Sequence, residues 1–182
     1  MGPSQTLRRE HINPWLTEIC AVEEELNMLL SLIGAELYAA GSKAMNELTS
    51  DPAAHPHVRA WPSVFSGISV ISNRKTLAHR DQGGWPQCYD LLLAAGNYSN
   101  ALFSVPDVGA EFQYNPGTVV AICGKVLRHA VYDWSGGERL CYAHFMRNNV
   151  HNRLQVKQTS WSSMQLYESC MSRKFIQRMQ QL

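Results

Sequence analysis

Between Val64 and Met146 the chain is a succession of short runs rich in Val, Ile, Phe and Tyr, cut by turn clusters such as Asn115-Pro116-Gly117 and Ser135-Gly136-Gly137. Short β-rich runs bounded by Gly, Pro and Asn build strands rather than helices, and many in succession build a sandwich or barrel. The expected strands are Phe65–Ser72, Tyr89–Ala95, Ala101–Val105, Glu111–Tyr114, Thr118–Cys123, Val126–Tyr132 and Arg139–Arg147. This pattern predicts a mainly β fold with flanking helices (α+β), its core a sandwich or jelly roll.

The period changes on either side of that stretch. Ahead of it, Asn13-Pro14 offers a cap and a first-turn proline, and Leu16, Ile19, Cys20, Leu26, Leu29, Leu30, Ile33 and Leu37 recur at helical steps, with Glu23, Glu24 and Glu25 as the wet face. Gly41 ends or interrupts this helix, Ala44 to Leu48 add a last turn or two, and Asp51-Pro52 stops it. Behind the β stretch, 160–182 is rich in helix formers, with Met164, Tyr167, Met171 and Phe175 near one face and Arg173, Lys174 and Arg178 outside it. With 182 residues there is room for one domain and a sizeable core. The expected organisation is a single domain over 1–182: a helical layer at 1–60, the β core at 61–150 and a basic helix at 151–182.

Charge and cysteines exclude several classes. A net charge of +1 gives no chain-wide field for holding nucleic acid, so any such contact must be local. The charge is uneven, however: residues 1–50 hold 3 basic and 7 acidic groups, whereas 151–182 hold 5 and 1. Five cysteines with no C-x-x-C fit neither a disulfide framework nor a zinc knuckle. No apolar run approaches a membrane span, and Arg8, Arg9 and Glu10 stand where a signal peptide needs its apolar stretch. The expectation is an intracellular chain with no membrane partner. No Walker loop, dinucleotide fingerprint or nucleophile elbow occurs.

The chemistry concentrates in His79-Arg80-Asp81, followed by His129 at 48 residues' distance and Arg139 ten further on. A two-residue step on an extended chain points His79 and Asp81 the same way, and His129 from a distant strand completes one face of an octahedron. Two imidazoles and one carboxylate suit ferrous iron, with open positions for a chelating oxo-acid and dioxygen. Arg139, after the Gly136-Gly137 turn, carries the planar fork that suits the far carboxylate of 2-oxoglutarate. Parity places Cys141, Ala143, Phe145 and Arg147 on the inward side with Arg139, and Leu140, Tyr142, His144 and Met146 on the other. Phe145 could present its ring face to a base taken out of a duplex, or pack in the core. His55-Pro56-His57 reads as a solvated turn; His144 has the wrong parity for a ligand, and His151 lies in a polar exit.

Three stretches, "SNRKTLAHRDQGG", "YDLLLAAGNYSNA" and "YNPGTVVAICGKVLRHAVYDWSGGERLCYAHFMRNNV", resemble the TET/JBP oxygenases, in particular the fungal branch associated with DNA transposons. The resemblance implies a double-stranded β-helix that uses Fe(II) and 2-oxoglutarate to oxidise 5-methylcytosine in DNA, through hydroxymethyl to formyl and carboxyl products, in the nucleus. By it, His79, Asp81 and His129 match the iron ligands, Arg139 the 2-oxoglutarate arginine and Arg74 a second cosubstrate contact. Phe145 matches a base-stacking aromatic and Arg147 the neighbour that reads the base edge. Some relatives have histidine where Arg147 stands, and some have a carboxylate where Gly83-Gly84 follows the ligands.

The expected partner is methylated double-stranded DNA with its target base flipped, and Lys75, Arg80 and Arg128, with Arg74, are candidate phosphate contacts. Two readings compete with this one. The first is the same chemistry on N6-methyladenine or RNA; the second is a catalytically silent DNA-binding domain of the same fold.

Overall fold

The structure, a computed structural model, describes residues 4–9, 12–157 and 159; the helix expected over 160–182 lies outside them. The chain forms two compact units, one of residues 1–64 with 151–182 and the other Phe65–Val150. The β layer expected over 61–150 overlaps the second of these.

In the first unit the helical period is realised as α1 (Ile12–Glu18), α2 (Cys20–Ile33), α3 (Ala35–Ser50) and the single turn α4 (His55–Val58). The expected interruption at Gly41 is replaced by one at Gly34, whose ψ of 62° leaves the helical region. Gly41 instead lies buried within α3. Glu23 also departs from the expected wet face: it is buried with Leu26 and Leu30, while Glu24 and Glu25 are exposed. The Asn27 side chain ties α2 to the segment that follows α4, donating to the Pro62 carbonyl (2.8 Å) and accepting from the Val64 N–H (3.0 Å). His55 lies in α4, exposed, its Nδ1 donating to the Thr49 carbonyl (2.8 Å). Among the described residues no helix is long and apolar enough to cross a membrane.

The second unit contains eight strands: β1 (Gly67–Ser72), β2 (Thr76–His79), β3 (Asp90–Gly96), β4 (Leu102–Val105), β5 (Ala110–Gln113), β6 (Val119–Ile122), β7 (His129–Val131) and β8 (Arg139–Phe145). Seven of these fall where strands are expected; β2 does not. They form two four-stranded antiparallel sheets, ordered β1-β8-β3-β6 and β2-β7-β4-β5. The chain passes repeatedly between the sheets, which is the jelly-roll arrangement of a double-stranded β-helix. Leu92, Phe103, Tyr114, Ile122, Val131 and Cys141 form its core. Both core tyrosines are satisfied: Tyr98 donates to the Tyr114 carbonyl (2.7 Å) and Tyr114 to the Leu92 carbonyl (3.2 Å). α5 (Asn148–Arg153) follows β8; its His151, expected in a polar exit, is buried, and burial holds its imidazole below the ordinary range.

Candidate metal centre and cosubstrate pocket

β2 is only four residues long, and its pairing with β7 sets His79 opposite His129. Thr76 pairs with Val131, so β2 carries one extra residue over this stretch. Such a bulge bends a strand and re-aims the side chain beside it. The His79 and His129 ring centroids are 4.4 Å apart, with the ring planes tilted by 51°. Asp81 completes the group, one carboxylate oxygen 3.5 Å from His79 Nε2 and the other 3.7 Å from His129 Nε2. The three donor atoms lie within 4.8 Å of one another.

The second nitrogen of each ring is fixed by the backbone. His79 Nδ1 donates to the Leu77 carbonyl (2.9 Å) and His129 Nδ1 to that of Leu127 (3.2 Å), which leaves both Nε2 lone pairs for a metal. Burial holds the His129 imidazole below its ordinary value, in the neutral form that a ligand needs. Phe103 stacks on the His129 ring at 5.8 Å with the planes 11° apart. Asp81 is anchored by its own N–H, which donates to the Gly124 carbonyl (2.9 Å). A Cβ at Gly124 would collide with the Asp81 carboxylate and stand 2.7 Å from that of Asp90, so a glycine is needed there for the ligand loop to close.

A cavity of about 440 Å³ opens from this triad, lined also by Arg74, Asp90, Arg139, Phe145 and Arg147. Arg139, on β8 of the other sheet, lines the same cavity and is only 2% exposed. Asn73, in the left-handed conformation (φ 49°) that Asn tolerates, grips the Arg139 backbone with two hydrogen bonds of 2.8 Å. The Arg139 guanidinium lies over the Tyr114 and Trp134 rings (5.5 and 5.6 Å), and Nη1 donates to the Arg74 carbonyl (3.3 Å). Among the described residues its buried Nε has no hydrogen-bond partner. A buried guanidinium with an unused donor on a cavity wall is built for an anion. The donor set fits a divalent iron, and Arg139 fits the carboxylate of a chelating oxo-acid.

Strand parity places the remaining side chains as expected with one exception: His144, expected on the opposite face, also lines the cavity. Cys141, Ala143, Phe145 and Arg147 all line the cavity with Arg139. His144 is fully buried, its Nδ1 bonded to the Leu91 carbonyl and its ring 5.6 Å from that of Phe65. The Phe145 ring lies against Gly67, its register partner in β1, where any Cβ would enter the ring. Arg147 is exposed, with its guanidinium 4.7 Å over the Phe145 ring. The cations Lys75, Arg80 and Arg128 each have an acidic partner: Lys75 pairs with Asp133 (3.1 Å), and both arginines pair with Asp107.

One residue of the cavity wall escapes the motif reading. Asp90 begins β3 on the same inward parity as Leu92, buried at 5% exposure. Burial and the nearby Asp81 push its carboxyl up to about 7, partly offset by the Gly124 N–H that donates to it. A carboxylate at an inward position of an apolar strand is a signal the sequence carries.

The family model described as the oxygenase domain of the 2OGFeDO superfamily, Tet_JBP, matches residues 2–148. The chain belongs to this TET/JBP oxygenase family. The family's cofactor and cosubstrate are Fe(II) and 2-oxoglutarate, which the triad and Arg139 fit. Among solved structures the fold is similar to NgTET1, solved in complex with 5mC DNA, with a TM-score of 0.60 at 18% identity. That match covers 82% of this chain and 56% of the other, so the chain spans little more than half of that protein's length. A cupin barrel protein from Salinispora arenicola, also at 18% identity, covers 54% of this chain and 78% of its own with a TM-score of 0.36, too slight a likeness to carry argument. No curated protein matches the sequence.

Proposed function

We propose that this TET/JBP oxygenase is an Fe(II)- and 2-oxoglutarate-dependent dioxygenase that oxidises the methyl group of 5-methylcytosine in double-stranded DNA, on a flipped-out base, in the nucleus. The observation that carries the reading is the set of groups that two facing sheets turn into one cavity. The metal triad lies where β2 meets β7, Arg139 with its unused Nε marks a carboxylate site at the start of β8, and Phe145 stands six residues on along the same strand face.

When bound, iron with 2-oxoglutarate and dioxygen supplies the hydroxylating chemistry. The chain's own residues bind and orient. His79, Asp81 and His129 would hold the metal, with both imidazole tautomers preset by Leu77 and Leu127. Arg139 takes the far carboxylate of the cosubstrate, and Arg74, on the cavity wall, adds positive charge beside it. Tyr114 and Trp134 restrict the guanidinium to one orientation, so little side-chain freedom is lost on binding.

Phe145 offers the face on which a base stacks, and a base on the face now under Arg147 displaces that exposed guanidinium toward the base edge. The 5mC DNA bound in the NgTET1 structure supports the choice of substrate. N6-methyladenine is the second reading, because the Asp90 carboxyl on the cavity wall offers acceptor oxygens to the exocyclic amino group of either base.

The test is incubation with Fe(II), 2-oxoglutarate and three duplexes of one sequence, carrying 5-methylcytosine, N6-methyladenine or no methyl group, followed by nucleoside mass spectrometry. Hydroxymethyl-, formyl- or carboxylcytosine from the first duplex is expected. Demethylation of adenine alone would move the assignment to the second reading, and no product from any duplex would favour the silent binding domain.

A further inference from the structure

Arg80 lies between two of the ligands, His79 and Asp81, and Arg128 immediately precedes the third, His129. Side chains alternate along an extended chain, so with the ligands on the cavity wall these arginines are turned away from it; both are about half exposed and neither lines the cavity. They converge on one carboxylate. Asp107 Oδ2 accepts from Arg80 Nη2 (2.8 Å) and from the Arg128 backbone N–H (2.8 Å), while Oδ1 accepts from Arg128 Nε (2.6 Å). Arg80 Nε also donates to the Val126 carbonyl (2.7 Å), just ahead of β7.

Asp107 itself sits in a rigid place, the 3-10 turn Pro106–Val108 that follows β4 and is closed by Gly109. β4 in turn pairs with β7 through Ser104 and Ala130. The carboxylate is largely covered, with its side chain 17% exposed.

We propose that Asp107 is a positioning residue for the metal centre: from outside the cavity it clamps Arg80 and Arg128 together and so holds the two ligand-bearing strands in metal-binding register. The β2–β7 ladder alone is weak support for this, because its register shifts between its two pairs, Thr76 with Val131 and His79 with His129. The clamp adds one direct hydrogen bond between these segments, Arg80 Nε to the Val126 carbonyl, and joins them through three more that meet on the ionised Asp107 carboxylate and are stronger than neutral ones. The Arg128 N–H groups, backbone first, and the charges of Arg128 and Arg80 hold the Asp107 carboxyl down at about 2, so it is ionised throughout the neutral range. A shift of Arg80 along the chain cannot occur without moving the ligands on both sides of it.

The clamp makes a prediction opposite in sign to simple electrostatics. Removing a positive charge near a divalent cation should tighten metal binding, whereas removing an arm of the clamp should loosen it. The experiment titrates Co(II) into metal-free wild-type protein and into the Asp107→Asn, Arg80→Gln and Arg128→Gln variants, recording affinity and the visible Co(II) spectrum. Asp133→Asn, which removes the partner of Lys75, is the control. Changes in the groups that support metal ligands typically cost about ten- to a hundred-fold in metal affinity.

Losses of that size are expected in all three clamp variants, with an altered Co(II) spectrum and unchanged behaviour in the control. Should Asp107→Asn fail to fold, the two arginine variants decide alone. Unchanged affinity and spectrum, or tighter binding in the arginine variants, would overturn the clamp and return Arg80 and Arg128 to the role of phosphate contacts. Wild-type protein that binds no Co(II) would overturn the ligand set and the clamp with it.

Discussion

His79 and His129, 50 residues apart in sequence, are register partners in the β2–β7 ladder, and their ring centroids stand 4.4 Å apart. The metal centre is thus built across a single strand pair, with Asp81 reaching in from the loop that follows β2. Substituting any one of His79, Asp81 or His129 with Ala leaves two protein donors. We expect each variant to lose turnover while keeping its far-UV circular dichroism, because the apolar cluster around Leu92, Phe103, Tyr114 and Cys141 stays in place; at His129, buried and stacked on Phe103, the truncation also lowers the melting temperature. Near-full activity with tight iron binding in any one would remove that residue from the site.

Arg139→Lys replaces a planar fork with a point charge, and a buried ammonium cannot span the places of Nη1 and Nε together. Losing one charge-assisted hydrogen bond costs about 1.5–3 kcal/mol, so the half-saturation for 2-oxoglutarate should rise roughly ten- to a hundred-fold with DNA affinity little changed. An unchanged half-saturation would mean that another cation, Arg74 first, holds the far carboxylate.

Phe145→Ala should separate the two halves of the reaction. Base–aromatic stacking is worth roughly 1–3 kcal/mol, so product formation at subsaturating DNA should fall by about one to two orders of magnitude, while succinate formed without DNA persists. Gly67→Ala provides a second probe, because its Cβ pushes into the same ring. A parallel fall of melting temperature and of both activities would instead make Phe145 a core residue.

Asp90 gives a pH signature in the metal-free protein. Its folded carboxyl titrates at about 7 rather than at the unperturbed 3.8, so between those values the folded state holds a proton that the unfolded chain has released. Stability from this group is full below pH 4 and is lost as pH rises toward 7, each tenfold difference in proton affinity being worth about 1.4 kcal/mol. Asp90→Asn should remove that decline, so that the variant gains on wild type from pH 5 to pH 8 in denaturant unfolding. Parallel curves for the two proteins would show that Asp90 is ionised in the metal-free fold.

What the sequence revealed follows the length scale of each signal. Strands such as Asp90–Gly96 and Arg139–Phe145 are dense in apolar residues and bounded by turns, so they were visible, and parity along β8 correctly grouped Arg139, Cys141, Ala143, Phe145 and Arg147. β2 was hidden because Thr76–His79 is four half-buried or exposed residues among polar neighbours, held by a long-range ladder rather than by propensity. The helix break at Gly34 falls inside an apolar period that runs on to Leu37, which is why the pattern points to Gly41 instead. Asp107 resembles any turn carboxylate until the fold brings Arg80 and Arg128 to it.

The most direct test of the central claim is the stoichiometry of succinate to oxidised cytosine on a duplex carrying 5-methylcytosine, with Asp81→Ala in parallel. Coupled turnover predicts one succinate for each oxidation step, little succinate on the unmethylated duplex, and neither product from the variant. Succinate that forms at the same rate with or without methylated DNA, accompanied by no oxidised cytosine, would contradict the assignment.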